Sequence, residues 1–305
     1  MSATAKPLII PPRLRPGATI GLVTPAGPVH DQETVRQGIA ILAEAGFRVK
    51  EPAELEKYGY LAGSDAARAR QLTETWHDPE VHAVLAVRGG YGAMRLLPFL
   101  EPAAFANTPK ILAGFSDITI LLNEIQRRTG LVTYHAPVLT TLARSDEASR
   151  QSFLAMLTGP AKPILPPALR IMTGGRGCGP LIGGNLTSLS HLLGTPHEPE
   201  WRDAILFLED TGEPPYKIDR MLTQLQVSGR LPRLSGLILG TFSEGDEREE
   251  KWAELAGQRA LELTGGRIPL WGNFPVGHGP RNLSLPVGMT AVMDSNNGRL
   301  DFINP

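Results

Sequence analysis

Cysteine is almost absent from this sequence: Cys178 is the only one among 305 residues. A single cysteine cannot form an intrachain disulfide or an all-cysteine metal site. The zinc-binding spacing His-Glu-x-x-His is also missing, so we expect no bound metal. Because such a chain suits a reducing compartment, we predict a cytoplasmic protein.

An excess of positive charge and long apolar runs are also missing. Lysine and arginine total 30 against 31 acidic residues, which leaves no basic surplus to neutralise phosphates and argues against nucleic acid as a partner. Residues 1–16 contain only the short apolar run 8–10 before prolines interrupt it. No later segment approaches a membrane-spanning length, so we expect a soluble chain that is neither exported nor bound to a membrane.

The first half of the sequence alternates β-branched runs with amphipathic helical patterns, which is typical of a doubly wound α/β sheet. The predicted strands lie at residues 18–24, 48–50, 83–87, 111–114 and 131–134. The predicted helices lie at residues 31–46, 64–76 and 118–128. Asp31 and Ser64 are suited to begin their helices as N-caps.

Proline and glycine crowd residues 159–184, where no periodicity survives. We therefore predict an N-terminal domain at 1–160, a linker at 161–180 and a C-terminal domain at 181–305. The second domain reads as mixed α/β, with helices near 186–193, 218–227 and 252–263 and strands at 204–208, 236–240 and 270–274. From Leu270 onward the tail suggests β hairpins, one of them turning at 296–298.

Ser116 lies in Gly114-Phe115-Ser116-Asp117, where a buried strand meets the start of a helix. A nucleophile turn presents its hydroxyl above a parallel sheet in this way. The spacing departs from Gly-x-Ser-x-Gly, since Ile118 replaces the second glycine. On this segment alone, an ordinary N-cap serine is the better interpretation.

A serine nucleophile needs a base, and histidine is the usual one near neutral pH. His278 stands in a glycine-flanked loop after a predicted strand, although a plain turn histidine is equally compatible with this segment. Glu209 ends an apolar strand, where a carboxylate can fix the tautomer of a histidine or simply meet solvent. The other six histidines lie in turns or near element ends: His30, His77, His82, His135, His191 and His197.

Taken together, several motifs in order along nearly the whole chain resemble the LD-carboxypeptidases, a family of serine peptidases that includes murein tetrapeptide carboxypeptidases and microcin C immunity peptidases. The motifs are Pro16-Gly17, Arg88-Gly89-Gly90-Tyr91-Gly92, Gly114-Phe115-Ser116-Asp117, Gly183-Gly184-Asn185-Leu186, Leu208-Glu209-Asp210, Gly277-His278 and Leu285-Pro286-Val287-Gly288. The resemblance implies a triad of Ser116, Glu209 and His278, with the serine in the first domain and the other two residues in the second. It also implies a homodimer. The expected fold is α/β with two domains: an N-terminal, mainly parallel sheet that is flavodoxin-like or class I amidotransferase-like, and a mixed C-terminal domain.

Acyl transfer also needs donors for the oxyanion of the tetrahedral intermediate. The backbone amide of Asp117 is one candidate, and the turn containing Gly89 and Gly90 supplies another, with Gly90 preferred. The turn can also be read as a phosphate nest. Since the lysine of a P-loop and a Gly-x-Gly-x-x-Gly turn are both missing, we expect no nucleotide cofactor and no other cofactor.

A carboxypeptidase must bind a free terminal carboxylate, for which arginine offers bidentate hydrogen bonds. Arg88, Arg220 and Arg281 are candidates, and each of them can instead be part of a structural ion pair. Asn185 can bind substrate amide groups or cap the helix that starts at Leu186.

The sequence thus predicts release of D-alanine from cytoplasmic muropeptides during cell-wall recycling, a substrate implied by the resemblance. One alternative is a microcin-immunity peptidase that cleaves peptidyl or aminoacyl nucleotide analogues. A second is a non-catalytic two-domain protein that binds a small molecule.

Overall fold

The computed structural model describes residues 6–243 and 249–303. Residues 1–5 and 304–305, which the two predicted domains include, lie outside the described residues. The chain divides into two compact units. Unit 1 comprises Met1–Gly159 and Ser284–Gly288, and unit 2 comprises Pro160–Leu283 and Met289–Pro305.

The strands and helices are numbered in chain order. The strands are β1 Thr19–Val23, β2 Arg48–Lys50, β3 Val81–Ala86, β4 Ile111–Gly114, β5 Thr133–His135, β6 Arg170–Thr173, β7 Arg176–Asn185, β8 Ile205–Thr211, β9 Gly236–Ser243, β10 Leu270–Gly272, β11 Leu285–Val287, β12 Thr290–Asp294 and β13 Arg299–Phe302. The α-helices are α1 Gln32–Glu44, α2 Asp65–His77, α3 Pro102–Asn107, α4 Thr119–Thr129, α5 Leu139–Leu142, α6 Glu147–Thr158, α7 Leu186–Ser190, α8 Pro215–Val227 and α9 Glu249–Thr264.

Unit 1 has a six-stranded sheet in the order β11-β5-β4-β3-β1-β2. Strands β1 to β5 run parallel to one another, and β11 is antiparallel to β5. The order β2-β1-β3-β4-β5 is that of flavodoxin-like folds, whose topological switch point lies between β1 and β3. The fold prediction for the N-terminal part is therefore confirmed.

Side-chain caps set the starts of two helices in unit 1. Asp31 accepts hydrogen bonds from the amides of Glu33 and Thr34, which satisfies donors that α1 would otherwise leave unbonded. Ser64 accepts one from the amide of Ala67 at the start of α2. Both caps were predicted from the sequence.

Unit 2 has a seven-stranded mixed sheet in the order β13-β12-β7-β8-β9-β10-β6. Strands β7, β8, β9 and β10 run parallel, while β6 and the hairpin of β12 and β13 are antiparallel to their neighbours. Leu206 and Leu208 of β8 pack with Leu222 and Leu225 of α8 in the hydrophobic core of this unit. The predicted mixed α/β fold and the predicted C-terminal hairpin are both confirmed.

Residues 161–180, predicted as a linker, contain β6 and the first half of β7. Two of the glycines there, Gly177 and Gly179, allow close packing of β7. A Cβ atom added to Gly179 would lie 1.7 Å from the carbonyl oxygen of Asp203, and one added to Gly177 would lie 2.3 Å from that of Ser235. Because glycine marks both turns and tight strand packing, the composition misled the prediction.

The tail also departs from the prediction of local hairpins, since β11 joins the sheet of unit 1. Leu285 and Val287 are buried there, opposite His135 and Thr133 of β5. Pro286 is tolerated because β11 is an edge strand. Pairing with a strand so distant in sequence leaves no local signal.

None of the helices in the described ranges is long and apolar enough to cross a membrane.

Candidate active site

Ser116 occupies a strained turn directly after β4. Its φ angle is 63°, and it is one of three described residues other than glycine with a positive φ. A short 3₁₀ turn, Ser116–Ile118, then leads into α4, and its N-cap is Phe115, with no side-chain cap. The N-cap role that the sequence favoured for Ser116 is therefore not what the structure has. A strained residue at a strand end is instead typical of functional sites.

Ile118, which replaces the second glycine of the nucleophile motif, lies close to Gly114. A Cβ atom added to Gly114 would lie 2.8 Å from Cγ2 of Ile118. The glycine before the serine thus makes room for the isoleucine after it. In this turn, the residue that must lack a side chain is therefore Gly114, at the end of β4.

The glycine-rich turn after β3 lies against Ser116. A Cβ atom added to Gly89 would lie 2.9 Å from Cβ and 3.0 Å from Oγ of Ser116. The Gly89 carbonyl accepts a hydrogen bond of 3.1 Å from the amide of Gly27. Gly90 adopts a φ of 110°, which side chains other than hydrogen rarely allow. The backbone can therefore approach the serine hydroxyl closely.

The side chain of Asp117 ties the serine turn to this glycine turn. Its Oδ2 atom accepts a hydrogen bond of 2.7 Å from the amide of Ala93, and the side chain is buried. The sequence analysis gave Asp117 only a backbone role. Its carboxylate fixes the two turns relative to each other.

Arg68 of α2 forms hydrogen bonds to the backbone near the glycine-rich turn. It was not identified from the sequence. It is fully buried, and its guanidinium donates to the carbonyls of Gly63 and Gly92 at 3.0 Å each and to that of Pro25. Asp65 accepts a further bond of 2.5 Å. Such multiple donation is what a planar guanidinium provides. Arg68 thus joins the loops that follow β1 and β3.

In unit 2, the partly exposed His278 forms a pair with the fully buried Glu209. Nδ1 of His278 lies 2.6 Å from Oε2 of Glu209, and Glu209 has no solvent exposure. With the proton on Nδ1 donated to this carboxylate, Nε2 carries the lone pair that can accept a proton. This is the arrangement of a general base and its orienting acid.

A break in strand register positions the two acidic residues of this segment. The pairing of β8 with β9 shifts between Leu208 and Asp210, and both Glu209 and Asp210 are buried. Strict alternation would turn one of two successive side chains to the opposite face. Bulges near active sites commonly redirect side chains in this way.

Gly277 makes room for the pair. Its φ is 118°, and an added Cβ atom would lie 2.6 Å from Cβ and 2.8 Å from Oε2 of Glu209. Asn282 accepts a hydrogen bond of 3.0 Å from the Gly277 amide, and Thr241 accepts one of 3.2 Å from the Gly279 amide. The loop around His278 is thereby anchored on both sides.

Asn185 and Thr187 hold Asp210. Nδ2 of Asn185 donates to Asp210 at 3.0 Å, while the amide and hydroxyl of Thr187 donate to it at 2.8 Å each. Oδ1 of Asn185 accepts a bond of 2.9 Å from the amide of Ser188 and so caps α7. The capping role that the sequence offered for Asn185 is thus the one observed.

Buried acidic side chains in unit 2 shift the pKa values of Asp210 and His278. Burial and the charge of Glu209 raise the pKa of Asp210 to about 6, although the hydrogen bonds from Thr187 and Asn185 lower it in part. Burial by itself lowers the pKa of His278, but the charge of Glu209 and its hydrogen bond, with the charge of Asp210, outweigh burial and raise it. A negative environment therefore favours the imidazolium.

The three candidate arginines lie in different settings. Nη1 of Arg88 donates to the carbonyl of Pro28 at 2.7 Å. The exposed Arg220 lies over the Tyr216 ring at 5.5 Å. Arg281 is partly buried beside Asn282 in the His278 loop. Within the residues that the structure describes, no group of three or more histidine, cysteine or acidic side chains is arranged to hold a metal ion.

Family models match both halves of the chain. The model described as the LD-carboxypeptidase N-terminal domain matches residues 20–136, and the model of the LD-carboxypeptidase C-terminal domain matches residues 178–293. These two ranges contain all ten of the site residues named from the sequence.

Curated relatives cover most of the chain. A probable murein peptide carboxypeptidase of Bacillus subtilis is 36% identical over 93% of this chain and 91% of its own length. The murein tetrapeptide carboxypeptidase of Pseudomonas aeruginosa is 36% identical over 79% of this chain and 81% of its own. The microcin C7 self-immunity protein of Escherichia coli is 27% identical over 99% and 97%.

Solved structures agree in fold. A muramoyltetrapeptide carboxypeptidase from Oxalobacter formigenes superposes with a TM-score of 0.81 at 30% identity, covering 94% of this chain and 99% of that one. The wild-type apo microcin C7 self-immunity protein gives 0.88 at 26% identity, covering 98% and 99%.

Proposed function

This chain belongs to the LD-carboxypeptidase family, and from that premise we propose that it hydrolyses the amide bond between an L-configured centre and a terminal D-amino acid. Relatives at 36% identity are named for murein peptides, so we propose a murein tetrapeptide as substrate, with release of D-alanine. The hydrogen bond of 2.6 Å between His278 and Glu209 is the observation that carries this proposal. Because Glu209 accepts the Nδ1 proton of His278, Nε2 of His278 carries the lone pair with which it can act as a base.

In the proposed mechanism, Ser116, His278 and Glu209 act together. Nε2 of His278 takes the proton of the Ser116 hydroxyl as Oγ attacks the scissile carbonyl carbon. The tetrahedral intermediate collapses, and the imidazolium gives its proton to the departing amine of the D-amino acid. His278 then activates water, which releases the acyl group and restores the serine. Glu209 stabilises the imidazolium in both steps.

We propose the backbone amides of Asp117 and Gly90 as donors to the oxyanion. Each such donor contributes about 3 kcal/mol to the stabilisation of the transition state. The close packing of Gly89 on Ser116 and the contact between the Asp117 carboxylate and Ala93 support this assignment. Arg88 and Arg281 are the proposed contacts of the terminal carboxylate. Arg88 directly precedes the turn of Gly89 and Gly90, and Arg281 lies in the His278 loop.

The decisive experiment compares three substrates by mass spectrometry: a muropeptide tetrapeptide, its all-L diastereomer and an acyl-sulfamoyl adenylate. We expect release of D-alanine from the first substrate and no cleavage of the second. A folded Ser116→Ala variant should release no D-alanine. No turnover of any substrate by the wild-type protein would point to a binding protein and overturn the proposal.

Cleavage of peptidyl or aminoacyl nucleotide analogues is the second candidate function. The TM-score of 0.88 with the microcin C7 self-immunity protein favours it. The higher sequence identity lies with the murein carboxypeptidases, so we rank it second. Selective cleavage of the acyl-sulfamoyl adenylate would reverse that order.

We further propose that the protein works in the cytoplasm as a homodimer on a small peptide substrate, without nucleic acid or membrane as partner. The single cysteine, Cys178, is exposed and unpaired in a disulfide, as a reducing compartment permits. Sedimentation equilibrium should give about twice the chain mass of 32.9 kDa. A monomeric mass across the working concentration range would contradict the dimer.

A further inference from the structure

Unit 1 contains a cavity of about 650 Å³ beside the glycine-rich turn. Its walls come from the loop after β1, the loop before α2 and the turn after β3. The first and third of these segments lie at the carboxyl ends of β1 and β3. Ligands of open α/β sheets bind outside such strand ends, at the topological switch point, which in this strand order lies between β1 and β3.

The wall of this cavity is basic. Lys57, Arg88 and His30 line it, and among the described residues none of those in its wall is acidic. Lys57 is exposed and forms no ion pair with any part of the chain that the structure describes. Arg88 uses one Nη1 donor on the Pro28 carbonyl, and a guanidinium has five N–H donors in all. The wall is therefore suited to an anionic group.

Two tyrosines give the cavity an aromatic rim. Tyr60 and Tyr91 are 67% and 53% exposed, and their rings meet edge to face with centroids 5.6 Å apart. Tyrosine presents an apolar face together with a polar hydroxyl, a combination that is frequent where ligands bind. Aromatic surface beside unpaired positive charge suits a peptide residue that carries a carboxylate.

The cavity is also close to the proposed nucleophile. Arg88 and Gly90 in its wall flank Gly89, at which an added Cβ atom would lie 3.0 Å from Oγ of Ser116. Successive Cα atoms are about 3.8 Å apart. Substrate residues adjacent to the scissile bond are therefore within reach of a cavity that begins at this turn.

We propose that this cavity binds a carboxylate of the peptide substrate, with Lys57 and Arg88 as its cationic contacts and with Tyr60 and Tyr91 packed against the residue that carries it. This inference rests on the proposed peptidase function. Two carboxylates satisfy the chemistry: the terminal carboxylate of the leaving D-amino acid and a side-chain or α-carboxylate on the acyl side. The experiment separates these two sources.

Binding is measured by calorimetry on Ser116→Ala protein, so that no turnover occurs. The ligands are a muropeptide tetrapeptide, the same peptide amidated at its terminus, and the same peptide amidated at its acyl-side carboxylates. Lys57→Met and Tyr60→Leu are introduced into this background. The matched controls are Lys162→Met, an exposed lysine of unit 2, and Tyr58→Leu, a tyrosine that is 63% exposed outside the cavity wall.

We expect Lys57→Met to weaken binding of the parent peptide about tenfold, which corresponds to 1.4 kcal/mol, and Tyr60→Leu to weaken it severalfold. Both controls should bind as the background does. One of the amidated peptides lacks the carboxylate that the cavity holds, and it should bind weakly to the Ser116→Ala protein. Adding Lys57→Met should lower its affinity by less than a further twofold. Whichever amidation removes the Lys57 effect identifies the source.

Unchanged binding in folded Lys57→Met and Tyr60→Leu, equal losses in the controls, equal losses with all three peptides, or no binding of the parent peptide would each overturn the inference. The result is separate from that for the proposed function. Wild-type turnover with no Lys57 effect removes the cavity alone, whereas cavity-dependent binding without wild-type turnover removes the peptidase activity alone.

Discussion

At Ser116 the backbone adopts a left-handed conformation, which costs a residue other than glycine about 1–2 kcal/mol. We therefore expect Ser116→Gly to be more stable than Ser116→Ala by about 1 kcal/mol, because glycine adopts this φ without strain. Both variants should lose at least about 10³-fold in kcat, since only binding and oxyanion stabilisation would remain. Urea unfolding and D-alanine release test the two claims. Equal stabilities would mean that the turn is not strained.

Glu209→Gln should change the pH dependence of activity. Burial lowers the pKa of His278, and the charge and hydrogen bond of Glu209 more than restore it, so its pKa is raised above 6.5. The base must be neutral, so the acid limb of kcat/KM in the wild type should lie at a higher pH than an unperturbed histidine would give.

Removal of the Glu209 charge lowers the pKa of His278, so in Glu209→Gln the acid limb should move to lower pH while kcat falls at every pH. Glu200→Gln, an exposed glutamate, serves as the control. An acid limb that stays in place in Glu209→Gln would show that the carboxylate does not act through His278.

Gly277→Ala should disrupt the His278–Glu209 pair. The added methyl group would lie 2.8 Å from Oε2 of Glu209 at a φ of 118°, so strain and overpacking together should cost about 2–4 kcal/mol of unfolding free energy. Gly194→Ala is the control, because Gly194 also has a positive φ but no atom within 4 Å of an added Cβ. Comparable destabilisation in both variants would mean that backbone strain alone explains the loss and that crowding of Glu209 contributes nothing.

Among the elements, α2 has a role beyond packing because Arg68 bonds to the loops that follow β1 and β3. We expect Arg68→Met to cost about 3 kcal/mol of stability, since Asp65 loses its buried partner, and to lower kcat more than it changes KM. Arg70→Met, an exposed arginine of the same helix, should leave both unchanged. Chemical unfolding and steady-state kinetics measure these effects. An unaltered kcat in folded Arg68→Met would confine Arg68 to stability.

Elements with local signals were predictable from the sequence, and those that depend on distant partners were not. Asp31 and Ser64 carry their capping chemistry in the side chain, so the starts of α1 and α2 were predicted correctly. Ser116 packs closely against Gly89 of a turn that is distant in sequence, which no local preference reveals. The register shift at Glu209 likewise depends on β9. The strands within residues 161–180 were also missed, because they too depend on pairing with distant strands.

For the whole molecule, the proposed mechanism uses neither a metal nor a thiol. Turnover should therefore survive dialysis against EDTA and alkylation of the exposed Cys178. The Cys178→Ser variant controls for effects of the alkylating reagent elsewhere. Activity that is lost on dialysis and restored by one divalent metal would contradict the serine mechanism.

At this scale the sequence predicted the α/β class and the mainly parallel first sheet, because alternating strands and helices leave few topologies. The family resemblance named the candidate triad, which the residues alone left open. The basic cavity of unit 1 was not predicted, because its walls come from three loops separated along the chain. The place of β11 in the first sheet was equally hidden.

The return of β11 to unit 1 has a consequence for synthesis on the ribosome. Residues 284–288 complete that unit, and the whole of 160–283 is translated before them. At ~5–20 residues per second, the edge of β5 waits roughly 8–30 s for its neighbour. An uncovered strand edge is a site of aggregation. A nascent chain that stops anywhere before Leu285 leaves this edge open, so messages truncated near their 3′ end should yield aggregates rather than a folded first unit.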